Sequence, residues 1–196
     1  METDIAAEGG WTLDNHVNSA ETMDKLNSSK WKYVVLQEQS EIPAIKQFRE
    51  SEMYPAARIL AQKIKENGAT PIFFLTWAHR DGWSENGLSD YESMQTQINN
   101  GYWEITQELM SPIAPVGYAW SATRRQDPQI NLWREDGSHP TEEGTYLAAC
   151  VFYAVIFHQS PEGLSYHGNL PKETAETLQA VAASVVLSNP SQWNLP

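Results

Sequence analysis

The chain has 196 residues, a length typical of one compact domain, and we expect residues 1–196 to form a single domain. Its 25 acidic and 13 basic residues give a formal net charge of −12, and no segment concentrates lysine and arginine. The charge balance argues against a nucleic-acid partner, since a negative surface without a basic patch repels the phosphate backbone.

Cysteine content and hydropathy narrow the options further. Cys150 is the single cysteine, so the sequence offers no disulfide framework, and its apolar neighbours make it a poor nucleophile. The most apolar run, residues 146–157, is shorter than the roughly 20 residues that cross a bilayer, and no signal peptide is recognisable. We expect a soluble protein without a membrane span. Its compartment stays open between the cytoplasm and, if an upstream signal is missing, the periplasm or the exterior, as does its oligomeric state.

The first third of the chain predicts two strands and a helix. Residues 3–8 are expected to form a short strand before a Gly-Gly turn. The apolar residues 34–36 predict a buried strand, because a polar tetrapeptide ends the run. A helix follows, with apolar residues spaced three and four apart from Met53 to Ile64 and an Asn-Gly pair as its C-terminal cap.

The middle of the chain repeats this alternation. Residues 71–76 predict the next buried strand, and a polar loop follows it. Ser89 and Glu92 match a capping box, and residues 91–109 carry one apolar stripe at helical spacing. Residues 113–120 form another apolar run, which predicts a third strand.

The last third predicts two helices. Thr141 is a suitable N-cap for a helix that ends near His158 and is apolar on nearly every side. Residues 172–187 predict the final helix. Strands that alternate with long helices indicate an α/β fold, in which helices cover both faces of a mostly parallel sheet as a three-layer α/β/α sandwich. Ligands of such sheets bind beyond the carboxyl ends of the strands, so we expect the site at that edge.

An Asp three residues before a His is the strongest catalytic candidate. Asp136 and His139 lie in a D-G-S-H-P segment that opens a helix. A carboxylate beside an imidazole fixes the tautomer of the ring and stabilises the imidazolium, as in the second half of a hydrolytic triad. His139 would then be the general base toward a serine and the acid toward the leaving group. Alternatively, the segment is a simple turn that leads into the helix.

Gly10 and Gln39 are the candidates for binding an oxyanion. An acyl-transfer site needs a backbone N–H that a glycine exposes and a side-chain amide, and these two residues can supply them. Ser40 is a weaker candidate for the nucleophile, because no sharp strand-to-helix turn surrounds it. Ser40, Trp77 and His79 are the candidates for contacting a substrate. Each of these residues also fits a plain role in a turn, a strand end or the core.

A metal-dependent hydrolase that uses His79, Asp81 and His139 is a further alternative. The spacing of these residues matches no established ligand set, so we expect no metal and no other cofactor. Three tryptophans near the expected site fit either stacking on a sugar ring or packing in the core: Trp77, Trp83 and Trp120.

The chain resembles the SGNH (GDSL-like) hydrolase superfamily. The stretch VVLQEQS at residues 34–40 follows a GGWTL turn at residues 9–13, as in a bacterial branch of that superfamily. The superfamily's closing block is D-x-x-H-P, followed by a helix with an early glycine. Here the block is matched by Asp136, His139, Pro140 and Gly144. The likeness runs from about residue 5 to the end of the helix that Thr141 opens.

The resemblance implies a flavodoxin-like fold and serine ester hydrolysis through an acyl-enzyme. The implied substrate is a carbohydrate ester or another small acyl ester. His139 and Asp136 would be the base and its orienter. Gly10 would take the place of the oxyanion-hole glycine, and Gln39 that of the oxyanion-hole asparagine.

One block of the superfamily has no counterpart in this sequence. It is the first block, in which a central strand leads into the nucleophilic serine, and it should precede Thr3. We therefore expect the natural start to lie upstream of Met1 and the sheet of this chain to lack its first, central strand. The alternative is a pseudoenzyme that binds a glycan or another small ligand without catalysis.

Overall fold

The computed structural model describes residues 2–195, which form two compact units. The first unit comprises the chain up to Phe74 together with Thr96–Pro112. The second comprises Leu75–Gln95 and the chain from Ile113 onward. The single domain expected from the length of the chain stays a prediction.

The first unit contains two strands and several short helices. In chain order, its elements are α1 (Leu13–Val17), α2 (Ala20–Ser28), β1 (Tyr33–Leu36), α3 (Glu41–Ala44), α4 (Lys46–Phe48), a π-helical turn (Arg49–Met53), α5 (Tyr54–Glu66) and β2 (Thr70–Phe74). The long helix α6 (Tyr91–Leu109) begins in the second unit and ends in the first.

The helix α5 confirms the apolar spacing of its sequence. Its buried stripe consists of Ala57, Leu60, Ala61 and Ile64. Burying a leucine or isoleucine side chain stabilises a fold by about 1.5–3 kcal/mol, so this stripe fixes the helix in its unit. Pro55 lies in the first turn, where its missing N–H leaves no bond unmade. Gly68, with a φ of +80°, ends the helix as a left-handed cap should.

The sheet confirms the expected α/β class. β1 and β2 are parallel, with Tyr33 opposite Thr70 and Leu36 opposite Phe73. β3, the short strand Ile113–Ala114, belongs to the second unit. Val35 in β1 is 43% exposed, which is unusual for an apolar residue of a parallel strand.

The expected strand over residues 3–8 is wrong. This segment has no strand pairing, and the side chain of Ile5 is 72% exposed. Its polar groups bond within the segment and to Lys25 of α2 instead. The Asp4 carboxylate accepts the N–H of Ile5 and lies 3.3 Å from the ammonium of Lys25, which also donates to the carbonyl of Ile5. The segment contains the acidic residues Asp4 and Glu8, which leaves too little apolar surface to bury a strand here.

The second unit is mainly helical. Its elements are a 3₁₀ turn (Ser84–Asn86), the start of α6, β3, α7 (Val116–Gln126), α8 (Glu142–Phe157), α9 (Lys172–Leu187) and a final 3₁₀ turn (Pro190–Trp193). α8 and α9 confirm the two C-terminal helices. Thr141 caps α8, since its hydroxyl accepts the N–H of Gly144.

The third strand is much shorter than residues 113–120. After Ala114 the chain turns into α7, because Pro115 has no N–H to continue a ladder. The apolar run belongs to the buried face of the helix, where Val116, Ala119 and Trp120 follow helical spacing. A short continuous apolar run does not distinguish a buried strand from a buried helix, so the expected strand over residues 113–120 is wrong beyond Ala114.

The cap of α6 is also displaced from its expected position. The reciprocal bonds of a capping box join Asp90 and Ser93 rather than Ser89 and Glu92. Glu92 instead forms an ion pair with Arg124, at 2.6 Å. The capping box therefore begins one residue later than expected, although it opens the expected helix.

Two further features bear on function. Cys150 is buried, and burial raises the pKa of its thiol to about 11, which favours the protonated form over the nucleophilic thiolate. No helix within residues 2–195 combines the length and hydropathy that a membrane crossing requires.

Candidate active site

The second unit brings the side chains of Asp136 and His139 into contact. Nδ1 of His139 lies 2.9 Å from Oδ2 of Asp136. The other carboxylate oxygen accepts the backbone N–H of Ser138 at 2.8 Å and that of His139 at 2.9 Å. Between them, Gly137 has a φ of +68°, a conformation that favours glycine. The turn therefore sets the carboxylate and the ring in register before any ligand binds.

Hydrogen bonds keep Asp136 ionised. The N–H groups of Ser138 and His139, followed by the His139 side chain, lower the pKa of the Asp136 carboxyl to about 2. An anion beside Nδ1 favours the tautomer that carries its proton on that nitrogen, which leaves the lone pair of Nε2 free to accept a proton. The His139 side chain is 71% exposed, so Nε2 is open to a reactant.

The loop that carries this pair is held by its neighbours in the same unit. The indole N–H of Trp77 donates to the carbonyl of Ser138 at 2.9 Å. The backbone N–H of Arg80 donates to Gly137 at 2.7 Å, and that of Arg134 donates to His139 at 2.8 Å. Three consecutive carbonyls of the loop are thus fixed from outside it, which limits the movement of the exposed ring.

Aromatic packing supports the indole that makes the first of these bonds. Trp77 stacks on Trp120 with ring centroids 4.1 Å apart and planes 7° from parallel. Trp133 contacts Trp120 edge-on, and its own N–H donates to Ala78 at 3.1 Å. Trp120 is fully buried, so core packing rather than sugar stacking is its role. One face of Trp77 is covered by Trp120, and Trp77 acts at least as a brace for the loop.

The oxyanion candidates lie in the first unit. Gly10 has a φ of +77°, and no atom lies within 4 Å of the position that a Cβ would take. Its glycine is therefore required by the backbone conformation and not by a close approach. Gln39 follows the end of β1, and its amide oxygen accepts the N–H of Glu41 at 2.8 Å. That bond engages the oxygen of the amide, and the nitrogen is the donor end.

Ser40 and His79 show no catalytic geometry of their own. Ser40 has ordinary helical dihedral angles, with φ −63° and ψ −21°, so it does not sit on a strained elbow. His79 is half-buried in the second unit, and the neighbouring Asp81 carboxylate is paired with Arg80 at 3.1 Å. Among residues 2–195 no three His, Cys, Asp or Glu side chains are grouped as a metal would require.

Glu38 is a buried residue that the sequence pattern did not indicate as a functional candidate. Its side chain is 1% exposed, although it precedes a polar stretch. Both carboxylate oxygens face the N–H of Leu13, at 3.2 and 3.3 Å, and Oε1 also accepts the N–H of Gln39 at 2.8 Å. A signal was present in the sequence, because strand alternation places Glu38 on the same face as the buried Leu36.

Burial dominates the ionisation of Glu38. Desolvation raises the pKa of its carboxyl to about 7, and the N–H groups of Gln39 and Leu13 offset only part of that rise. The carboxylates of Glu52 and Asp14 add repulsion in the same direction. Glu38 therefore exchanges its proton near neutral pH, which is unusual for a glutamate.

Two solved structures are similar to this chain. A DUF4886 family protein from Bacteroides uniformis ATCC 8492 matches with a TM-score of 0.78 and 19% identity over 92% of this chain and 81% of that one. A protein from Slackia heliotrinireducens, provisionally described as an SGNH hydrolase, matches with a TM-score of 0.65 and 26% identity over 76% of this chain and 80% of that one.

These likenesses establish an SGNH-like fold. No protein-family model matches the sequence, and no curated protein matches it. The contact between His139 and Asp136 is present, whereas the meeting of this pair with Gly10 and Gln39 stays a prediction. The catalytic and binding roles of all these residues are therefore matters for proposal.

Proposed function

We propose that the protein is a serine ester hydrolase of the SGNH type. The observation that carries the proposal is the His139–Asp136 pair, in which an ionised carboxylate holds an exposed imidazole at 2.9 Å on a braced loop. The SGNH-like fold supports it independently. The nucleophile in this proposal is the serine that the first block of the superfamily carries.

The proposed reaction has two halves. The serine hydroxyl attacks the ester carbonyl carbon while Nε2 of His139 takes its proton, and Asp136 stabilises the imidazolium that results. The tetrahedral intermediate collapses when His139 returns the proton to the departing alcohol, which leaves an acyl-enzyme. A water molecule, activated by the same ring, then releases the acid.

Gly10 and Gln39 would stabilise the oxyanion of both intermediates. The backbone N–H of Gly10 and the amide nitrogen of Gln39 are donors of the type that such a site needs. The substrate class is a carbohydrate ester or another small acyl ester. Ser40, His79 and Trp77 would contact the substrate, since an aromatic ring suits the apolar side of a sugar ring.

The test is hydrolysis of p-nitrophenyl acetate and of acetylated xylan by the full-length gene product. We expect turnover in the wild type and a loss of at least a thousandfold in His139→Ala, because a triad without its base retains little activity. His167→Ala is the matched control, since His167 lies in a loop of the same unit and bonds the carbonyl of Leu164.

Two results would overturn the proposal. One is a folded full-length protein that hydrolyses neither substrate. In that case, binding of the glycan without turnover would identify a pseudoenzyme. The other is hydrolysis that persists at the wild-type rate in His139→Ala.

A further inference from the structure

Glu38 is fixed at both its backbone and its side chain. Its backbone N–H donates to the hydroxyl of Tyr102 at 3.1 Å, and Tyr102 is itself fully buried. Its carboxylate accepts the N–H groups of Leu13 and Gln39. A carboxylate held this way has one position, because neither end of the residue can move without breaking a buried bond.

The two groups that the carboxylate joins lie far apart in sequence. Leu13 is the first residue of α1, and the short turn with Gly10 leads directly into it. Gln39 is the residue after Glu38, three residues beyond the end of β1. One buried side chain thus connects the turn that contains Gly10 to the strand end that carries the amide of Gln39.

Burying this carboxyl costs stability that an apolar side chain would not. Transfer of an ionisable group out of water is unfavourable unless hydrogen bonds or an opposite charge offset it. A leucine at this position would fill the space without that cost. The bonds to two separate segments give the carboxyl a use that packing alone does not explain.

We propose that Glu38 is the positioning residue of the oxyanion-binding groups, and that its carboxylate sets the spacing between the Gly10 N–H and the Gln39 amide. The inference rests on the proposed function, because those two groups are the oxyanion donors named there. Glu38 touches no reacting atom in this scheme and acts through the two residues that it places.

The connection depends on ionisation. The carboxylate form accepts hydrogen bonds through both oxygens, whereas a protonated carboxyl accepts through its carbonyl oxygen and lacks the charge that strengthens the bonds from Leu13 and Gln39. The neighbouring groups that face Glu38 are Asp14 on α1, Glu52 in the π-helical turn and the Tyr102 hydroxyl on α6. The first two favour protonation. The connection therefore strengthens as pH rises through neutrality.

The first experiment compares an ester with its thionoester in the full-length protein. Sulfur accepts hydrogen bonds poorly, so the rate ratio of oxygen to sulfur substrate reports the oxyanion donors. In Glu38→Gln we expect kcat to fall roughly ten- to a hundredfold with KM unchanged, and the rate ratio to fall with kcat. Glu50→Gln is the control, since this exposed glutamate of the same unit pairs only with Lys46 among the described ion pairs.

The second experiment needs no activity. Hydrogen exchange at the amides of Leu13 and Gln39 is measured by NMR at pH 7.5 in the wild type, Glu38→Gln and Glu50→Gln. We expect at least tenfold faster exchange at one of the two amides in Glu38→Gln only, because the glutamine side chain retains a single acceptor. The amide of Ile64, inside α5, should exchange at its wild-type rate in all three proteins.

The outcomes separate this inference from the proposed function. Wild-type protein that hydrolyses no ester refutes the proposed function and the positioning role that depends on it. Active protein in which Glu38→Gln retains its kcat and its rate ratio refutes the positioning role alone. Unchanged exchange at both amides also refutes it, because the carboxylate would then not hold the two segments.

Discussion

The carboxylates of Asp136 and Glu38 accept hydrogen bonds of the same kind, but their pKa values shift in opposite directions. Each carboxylate accepts N–H groups from two backbone positions. The pKa of Asp136 falls to about 2, whereas that of Glu38 rises to about 7. The difference is burial, since Asp136 keeps contact with water and the Glu38 side chain is 1% exposed.

The comparison separates two uses of a carboxyl group. In the exposed loop, hydrogen bonds give a permanent anion, which suits the orientation of a catalytic ring. In the buried position, desolvation outweighs the same kind of bond and produces a group that changes charge near pH 7. Solvent access, rather than the number of bonds, therefore decides what each carboxyl can do.

The largest effect is expected at Asp136, the exposed one of the two carboxyl groups. Asp136→Asn keeps an acceptor for the turn but removes the charge beside Nδ1 of His139, so kcat of the full-length protein should fall by about 10⁴-fold. The midpoint of thermal unfolding should move little, because both side chains are exposed. A large loss of stability together with a small loss of turnover would assign Asp136 and His139 a structural role.

The buried member should dominate the pH dependence of stability. The pKa of Glu38 is raised on folding, so its ionisation destabilises the native state as pH rises from about 4.5 to about 7. Glu38→Gln removes that titration. Its unfolding free energy relative to wild type should therefore rise by roughly 3 kcal/mol between pH 4.5 and 7 and level off above it.

Urea unfolding at closely spaced pH values measures this difference. Glu50→Gln, in the exposed ion pair with Lys46, serves as the control and should run parallel to wild type. A difference between Glu38→Gln and wild type that does not change with pH would contradict the buried assignment.

The smallest effect is expected at the brace of the exposed loop. Trp77→Phe keeps an aromatic ring for Trp120 but removes the N–H that bonds Ser138. The lost hydrogen bond should cost about 1 kcal/mol of unfolding free energy, and kcat should fall roughly tenfold because the loop loosens. Equal turnover in Trp77→Phe and wild type would show that the remaining loop bonds suffice.

The sequence predicted the fold best where periodicity was unambiguous. The helices α5, α8 and α9 follow from apolar spacing and cap residues, and β1 follows from a short run that a polar stretch ends. The apolar run after Ser111 predicts a strand but forms mostly helix, because its sequence shows no clear strand or helix period. Only Pro115 within it indicated that the strand was ending.

The site was predictable only in part, for a physical reason. Asp136 and His139 are three residues apart, so a single turn brings them together and sequence spacing alone predicts the contact. Glu38 and Leu13 are 25 residues apart, and their bond depends on where the fold places the first residue of α1. Local patterns predict local pairs, whereas a buried carboxyl that joins two segments appears only after folding.

The most direct test of the account is labelling of the full-length protein by a fluorophosphonate, which reacts with serines that an adjacent base activates. The account predicts one labelled serine per chain, loss of labelling in His139→Ala, and full labelling in His167→Ala. Folded protein that takes up no label, or that labels equally without His139, would contradict it.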